Sequence, residues 1–305
     1  MSDDARPSPA TDAPGDAARR AQYLSDRYGA QPRPADLEWT PAVETMLAHR
    51  SVRAFTPEPV TERQLATIIA AAQSAPTSSN LHLWSVIVVD DAALRDRIMD
   101  LADSPNQSEN FAFIRQAPAV LLWVADASRN EEIMASAGAG TGTGTDTDTD
   151  TDTDSLDYLD SFLTVSIDTA MAAQNAVVAA ESMGLGGCYL GSMRNLEAAL
   201  CELLALPRHS YVVVGMALGH PDPARAGGVH PRPAQAVVVR RNLDPAPALE
   251  SWLPAYENAY GAFRASQGLD GRTWREAVVR ASSRMYMDGR DEMRGAAEQQ
   301  GFGLA

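Results

Sequence analysis

The segment His49-Arg50-Ser51-Val52-Arg53-Ala54-Phe55 places two arginines and a histidine around one hydroxyl. Planar guanidinium forks and a hydroxyl are the donor set that best holds a phosphate dianion. Three further stretches combine small or polar residues with a possible cation: Pro76 to Trp84, Gly186 to Arg194, and His230-Pro231-Arg232-Pro233. Arg50, Arg53 and Arg232 could converge on one phosphate. For any single arginine the ordinary reading is a solvated surface charge; several such stretches in one chain weigh against it.

Other chemistries find little support. The run GLGGCYLG lacks the G-x-G-x-x-G spacing of a dinucleotide loop, and a Walker lysine is excluded because all 25 basic residues are arginine. None of the five histidines, His49, His82, His209, His220 and His230, accompanies a serine in G-x-S-x-G. His220, in GHPDP, reads as a turn after a strand. Cys188 and Cys201 are spaced far from CxxC, and no metal-ligand spacing surrounds them. They read as two buried thiols in a reducing compartment, which with the features below points to a cytoplasmic protein.

The elements that must position these residues occupy part of a 305-residue chain of formal net charge -15. That balance argues against nonspecific nucleic-acid binding. The N-terminus has no apolar signal core, and no long uninterrupted apolar run suggests a membrane span. Residues 1–35, rich in Ala, Pro, Asp and Arg, read as a disordered extension. Residues 136–155, SAGAGTGTGTDTDTDTDTDS, end in a self-repelling Thr-Asp alternation and offer no apolar face, so they read as a solvated low-complexity insert; a calcium loop would need a glycine turn and a distal Glu at the right spacing, which the tract lacks. The remaining 36–305 reads as one domain.

Within it, Thr40-Pro41 starts a short helix to Ala48. Thr61 and Gln64 have capping-box form before a helix carrying Leu65, Ile68, Ile69 and Ala72. Strands are expected at Trp84–Val89, Pro118–Ala125, the CYLG segment, Tyr211–Leu218 and Gln235–Arg240, and helices at Asp91–Leu101, Leu156–Met183 and Asn195–Leu206. From Pro247 the chain reads as mostly helical. The irregular alternation of strands and helices implies a mixed sheet. Leu156–Met183 carries alanine on nearly every face, which suits a core helix or one covered partly by a second subunit.

Taken together and in this order, HRSVRAFTPEPVTERQL, APTSSNLHLWSVIVV, DTAMAAQNAVVAAESMGLGGCYLGSMRN and HPRP resemble the nitroreductase family of FMN-dependent oxidoreductases, in its NADPH-dependent, oxygen-insensitive nitroreductase and flavin reductase branch. The resemblance runs from about Ala48 to Pro245, and more weakly to the C-terminus through RTW and QQGF. It implies an α+β fold, a mixed central sheet flanked by helices, in a homodimer with FMN at the subunit interface. By position, His49, Arg50, Ser51 and Arg53 would hold the phosphate and ribityl end. Ser78, Ser79 and Asn80 would line the flavin, with Asn106 or Gln107 at its polar edge. Tyr189, Leu190, Gly191 and Ser192 would pack on the ring near N5, and Arg232 would close on the phosphate. Arg264 and Arg272 are the candidates for the extra phosphate of NADPH.

Three positions depart from the family pattern. His82 and Leu83 stand where Gln and Pro are common before the tryptophan, Ser192 replaces the second glycine of the turn, and His230 replaces a lysine. A cation near flavin N1 and O2 stabilises the anionic reduced ring. A histidine supplies that charge only when protonated, and its reference pKa is about 6.5; Arg50 could supply it instead. The resemblance implies hydride transfer from NADPH through FMN to flavin, nitroaromatic or quinone acceptors, with no protein group required as acid or base. Two alternatives stay open: another flavin enzyme of this fold, such as a dehalogenase or dehydrogenase, and a flavin-binding dimer that docks a partner with little turnover.

Overall fold

The computed structural model describes residues 15–101, 108–136, 155–225 and 227–305. The Thr-Asp tract at 137–154 lies outside them. In chain order the helices are α1 (Asp16–Tyr28), α2 (Pro41–Ala48), α3 (Glu62–Gln73), α4 (Ala92–Leu101), α5 (Ser108–Gln116), α6 (Ser128–Ser136), α7 (Leu159–Ser182), α8 (Glu197–Leu203), α9 (Gln235–Val238), α10 (Leu249–Ser266), α11 (Trp274–Ala281) and α12 (Met293–Gln299). The strands are β1 (Trp84–Val89), β2 (Ala119–Asp126), β3 (Gly186–Leu190) and β4 (Ser210–Gly219). The chain divides into two compact units: residues 1–49 with 228–278, and residues 50–227 with 279–305.

The second unit is built on a four-stranded sheet in the order β1-β2-β4-β3. β2 is buried at every position, as its unbroken apolar run requires. The named strands all pair antiparallel, and the expected parallel component is confined to one bridge, Ser51 to Gly187, at the outer edge of β3. The register of β2 on β4 shifts between Trp123 and Val124: Trp123 pairs with Val214 and Val124 with Val212. Val213 is therefore the extra residue of a β-bulge, which frees its backbone for other partners.

α7 and α3 pack on one side of this sheet. Ala172, Ala173, Ala176 and Ala180 of α7 are buried with Leu65, Ile68, Trp123 and Met216, and the small alanines let helix and sheet approach closely. α3 begins with the expected capping box: Gln64 N–H donates to Thr61 Oγ1 at 3.2 Å, and Thr61 N–H to Gln64 Oε1 at 2.9 Å. α7 is long and apolar enough to cross a membrane by length and composition alone, a test that a core helix also passes; 39% of its most apolar window is buried. Its outer stripe keeps Leu159, Leu163 and Ile167 exposed.

The first unit corrects two expectations. Asp16–Tyr28 is a helix, within the stretch 1–35 where composition suggests a disordered extension; residues 1–14 of that stretch lie outside the described residues. Arg19 and Arg20 of α1 both reach Glu44 of α2 at 2.9 Å, and Arg27 and Tyr28 are buried. Those contacts lie more than fifteen residues away in sequence, so no local pattern announces them. Gln235–Arg240 was expected as a strand from its valines, but Gln235–Val238 forms a single helical turn. Val238 and Val239 are exposed there, so no apolar face holds the segment in a sheet.

Glycine is required where the 50–55 segment meets β3. A Cβ on Gly186 would lie 2.6 Å from Val52 Cγ2 and 2.9 Å from Pro221 Cγ. Gly186→Ala should therefore lower the unfolding free energy by about 1–3 kcal/mol, read from urea denaturation; an unchanged midpoint would show that the edge does not need this close approach.

Candidate functional site

In the second unit, Val52 N–H donates to Gly187 O at 2.9 Å, so the 50–55 segment runs along the free edge of β3. Alternation along β3 buries Cys188 and Leu190 and turns Tyr189 outward. Burial pushes the Cys188 thiol above its ordinary value, while Arg53 and the Ser51 hydroxyl act in the opposite direction. Two of the expected phosphate donors are thus held side by side at one strand edge.

The loop that follows α3 is held from beneath. Asp168 of α7 is 1% exposed, and its carboxylate accepts Thr77 Oγ1 at 2.5 Å and Ser78 N–H at 3.1 Å. Thr77 Oγ1 in turn accepts His82 N–H at 3.0 Å. Between these anchors, Ser79, Asn80 and His82 take positive φ of 48°, 59° and 53°. Non-glycine residues are held there only when surrounding contacts determine the backbone, and such strain gathers at ligand-binding loops. The loop presents Ser78, Ser79 and Asn80 exposed, with hydroxyls and an amide available as donors.

Beyond β3, Gly191 opens a 3-10 turn over Gly191–Leu196. A Cβ at Gly191 would sit 3.5 Å from Arg194 Nη2 and 4.0 Å from Arg290 Nη2, so two guanidiniums flank this glycine. Arg194 Nη1 donates to Val213 O at 2.8 Å, the carbonyl that the bulge releases. Arg290 Nε donates to Asn195 Oδ1 at 2.7 Å, and its guanidinium lies 4.9 Å from the Tyr286 ring centroid. Burial, and then repulsion by Arg290, lower the Arg194 pKa from its ordinary value. Such a pair is suited to an anion or to an acceptor that gains negative charge.

In the first unit, Arg27 gathers expected site segments by their backbones. It is 7% exposed, and its guanidinium donates to Leu47 O at 2.9 Å, His49 O at 2.7 Å and His230 O at 3.0 Å. Arg232 N–H donates to Arg27 O at 2.7 Å. His49, His230 and Arg232 are therefore brought together, with the His230 ring 4.2 Å from that of Phe263. The Arg232 guanidinium turns back on Pro231 O at 3.2 Å. Arg264 and Arg272 also meet: both bind the Asp270 carboxylate, Arg272 Nη2 at 3.0 Å.

Residues 46–220 match the model of the Nitroreductase family. The chain belongs to the nitroreductase family. Among its relatives, the NADPH-flavin oxidoreductase of Vibrio harveyi is 35% identical over 243 residues, which is 78% of this chain and 89% of the relative. The oxygen-insensitive NADPH nitroreductase of Salmonella typhimurium is 34% identical over 244 residues, 79% of this chain and 90% of the relative. The solved structure of NfrA2 from B. megaterium superposes with a TM-score of 0.75 at 31% identity, covering 88% of this chain and all of that one. The nitroreductase fold expected from the motifs is thus established.

Within that fold, Arg50, Ser51, Arg53, Ser78, Ser79, Asn80, Tyr189, Leu190, Gly191 and Ser192 fall in the second unit, and His49, His230, Arg232, Arg264 and Arg272 in the first. Asn106 and Gln107 lie outside the described residues. Sequence reasoning missed Arg27, Thr77, Asp168 and Arg290, and gave Arg194 no role beyond that of a possible cation at the end of its stretch. Arg27 binds carbonyls of distant residues, which carry no sequence signal. Arg194 lies inside the glycine-rich segment and could have been singled out as a polar residue directly after a turn.

Asp168→Asn should cost about 1.5–3 kcal/mol, because the loop loses charge-assisted hydrogen bonds from Thr77 and Ser78. Hydrogen exchange at residues 77–82 should rise in the variant; unchanged exchange there would show that Asp168 does not anchor the loop.

Proposed function

We propose that this chain is an FMN-dependent oxidoreductase that takes reducing equivalents from NADPH and passes them to flavin, nitroaromatic or quinone acceptors. The observation that carries the reading is the placement of Ser51 and Arg53 along the free edge of β3, on either side of the Val52 N–H to Gly187 O bond. A hydroxyl beside a guanidinium suits the phosphate of FMN. The names of the family relatives, NADPH-flavin oxidoreductase and NADPH nitroreductase, support the same activity.

When bound, FMN supplies a centre that accepts a hydride at N5 and gives it up again. The protein's part is to bind, orient and tune. Arg50, Ser51 and Arg53, with His49 and Arg232, would hold the phosphate and ribityl end. Ser78, Ser79 and Asn80 would donate to the polar portions of the cofactor from a loop whose backbone is already fixed, so little ordering is needed on binding. Tyr189, Leu190, Gly191 and Ser192 would border the ring, with Arg194 and Arg290 beside Gly191 to orient an acceptor. His230 would face the electron-rich end of the ring in place of a lysine. Arg264 and Arg272 would take the extra phosphate of NADPH by exchanging Asp270 for it, which costs part of the affinity gained.

A homodimer completes this proposal. The exposed stripe of Leu159, Leu163 and Ile167 on α7, at 45%, 49% and 56% exposure, supports a second copy covering that face.

The test is spectroscopic. The purified protein, as isolated or after reconstitution with FMN, should absorb in the visible and bleach on anaerobic addition of NADPH. Arg53→Ala should weaken FMN retention at least tenfold, about 1.4 kcal/mol or more. A preparation that cannot be loaded with FMN would defeat the reading. Unchanged retention in the variant would remove Arg53 from the phosphate site.

A further inference from the structure

Glu197 opens α8 as a buried acid, 4% exposed. Its Oε1 accepts Val212 N–H at 2.8 Å and the Cys201 thiol at 3.4 Å, while Oε2 has no hydrogen-bond partner. Three residues earlier, Arg194 binds the carbonyl of Val213. Acid and guanidinium therefore grip adjacent residues of β4 at the same bulge. An unpartnered carboxyl oxygen in a buried site is costly, and a structural role alone would be served by an amide or an apolar residue.

We infer that Glu197 sets the net charge behind the Arg194–Arg290 pair, and so decides how strongly this site prefers anionic over neutral electron acceptors. The inference rests on the reductase reading and deepens it. Glu197 acts through Arg194 and does not touch the acceptor. Its ionisation takes the three-residue cluster from two net positive charges to one.

Burial raises the Glu197 pKa to about 7, more than the Val212 N–H, the thiol and Arg194 together lower it. Below that pH the acid is neutral and both guanidinium charges act on the acceptor; above it one is offset. The sign follows: an anionic acceptor binds more tightly at low pH and loses affinity as pH rises through about 7. Other titratable groups border Glu197 among the described residues. Cys201 has its thiol pushed up to about 12, chiefly by burial and by Glu197 itself, so it stays protonated through this range. Tyr211 on β4 is likewise raised by burial. Glu292 lines the same cleft of about 540 Å³ as Glu197, with Asn195 and Gln299. On α12, Arg294 and Glu298 pair with each other at 3.6 Å and are exposed. On the far side of α8, Arg97 and Asp100 of α4 border a separate cleft with Glu202.

The experiment uses the FMN-loaded protein and two nitroaromatics of equal size, 4-nitrobenzoate, ionised throughout, and neutral 4-nitrobenzamide. The ratio of their KM values, benzoate over benzamide, is measured across the pH at which Glu197 ionises. In the wild type that ratio should rise about fivefold from acid to alkaline pH, the size expected for one partly screened charge. In Glu197→Gln it should stay at its low-pH value throughout. Glu197→Met, of similar volume and without charge, is the second variant and should be equally flat. A wild-type ratio that does not change with pH, or a step that survives in either variant, overturns the inference. If the loaded protein does not oxidise NADPH, the reductase reading fails separately, and calorimetric binding of the same two compounds over the same pH range decides the role of Glu197.

Discussion

A single backbone hydrogen bond, Val52 N–H to Gly187 O, determines where the polar side chains of this protein can meet. It lays the 50–55 segment along β3 with Val52 buried in the core, 2% exposed, and Arg53 exposed next to it. The approach is close enough that Gly186 tolerates no side chain. Val52 and Phe55 then join the apolar cluster of Leu122, Met193 and Leu200.

The rest of the second unit extends the same economy. α7 supplies alanines to the sheet and, from the same helix, the buried Asp168 that holds a strained polar loop. The β-bulge at Val213 releases one carbonyl, and Arg194 takes it, while Glu197 takes the neighbouring N–H. These contacts place charged groups on backbone positions that the sheet leaves unpaired. Bulges commonly serve this purpose beside functional sites, because the extra residue re-aims what lies next to it.

The first unit solves a different problem. Its expected site residues, His49, His230 and Arg232, come from two segments far apart in the chain, and a buried arginine joins them through carbonyl oxygens. Arg27 can do this because its guanidinium carries five donors in a rigid plane, enough for three acceptors at once. α1 and its partner α2 are joined by the contacts of Arg19 and Arg20 with Glu44, so a segment whose composition suggests disorder becomes structural. Asp270 plays the converse part, drawing Arg264 and Arg272 together on one carboxylate.

Periodicity, capping and glycine placement were readable from the chain alone. The capping box of α3, the apolar run of β2 and the boundaries of β1 each depend on neighbours within a few residues, and the ordered series of motifs was specific enough to point to the family. What the sequence could not determine was anything that depends on partners distant in the chain. Helix α1 is held by Glu44, Asp168 meets a loop 91 residues away, and Arg290 reaches Gly191 from near the C-terminus. The valines at 237–239 looked like a strand because propensity is local, yet with no apolar surface to cover them they remain exposed. The charge of Glu197 is likewise a tertiary property: the same carboxyl in water would ionise far below neutrality, and only its removal from solvent, beside a bulge that offers it too few donors, brings its titration near pH 7.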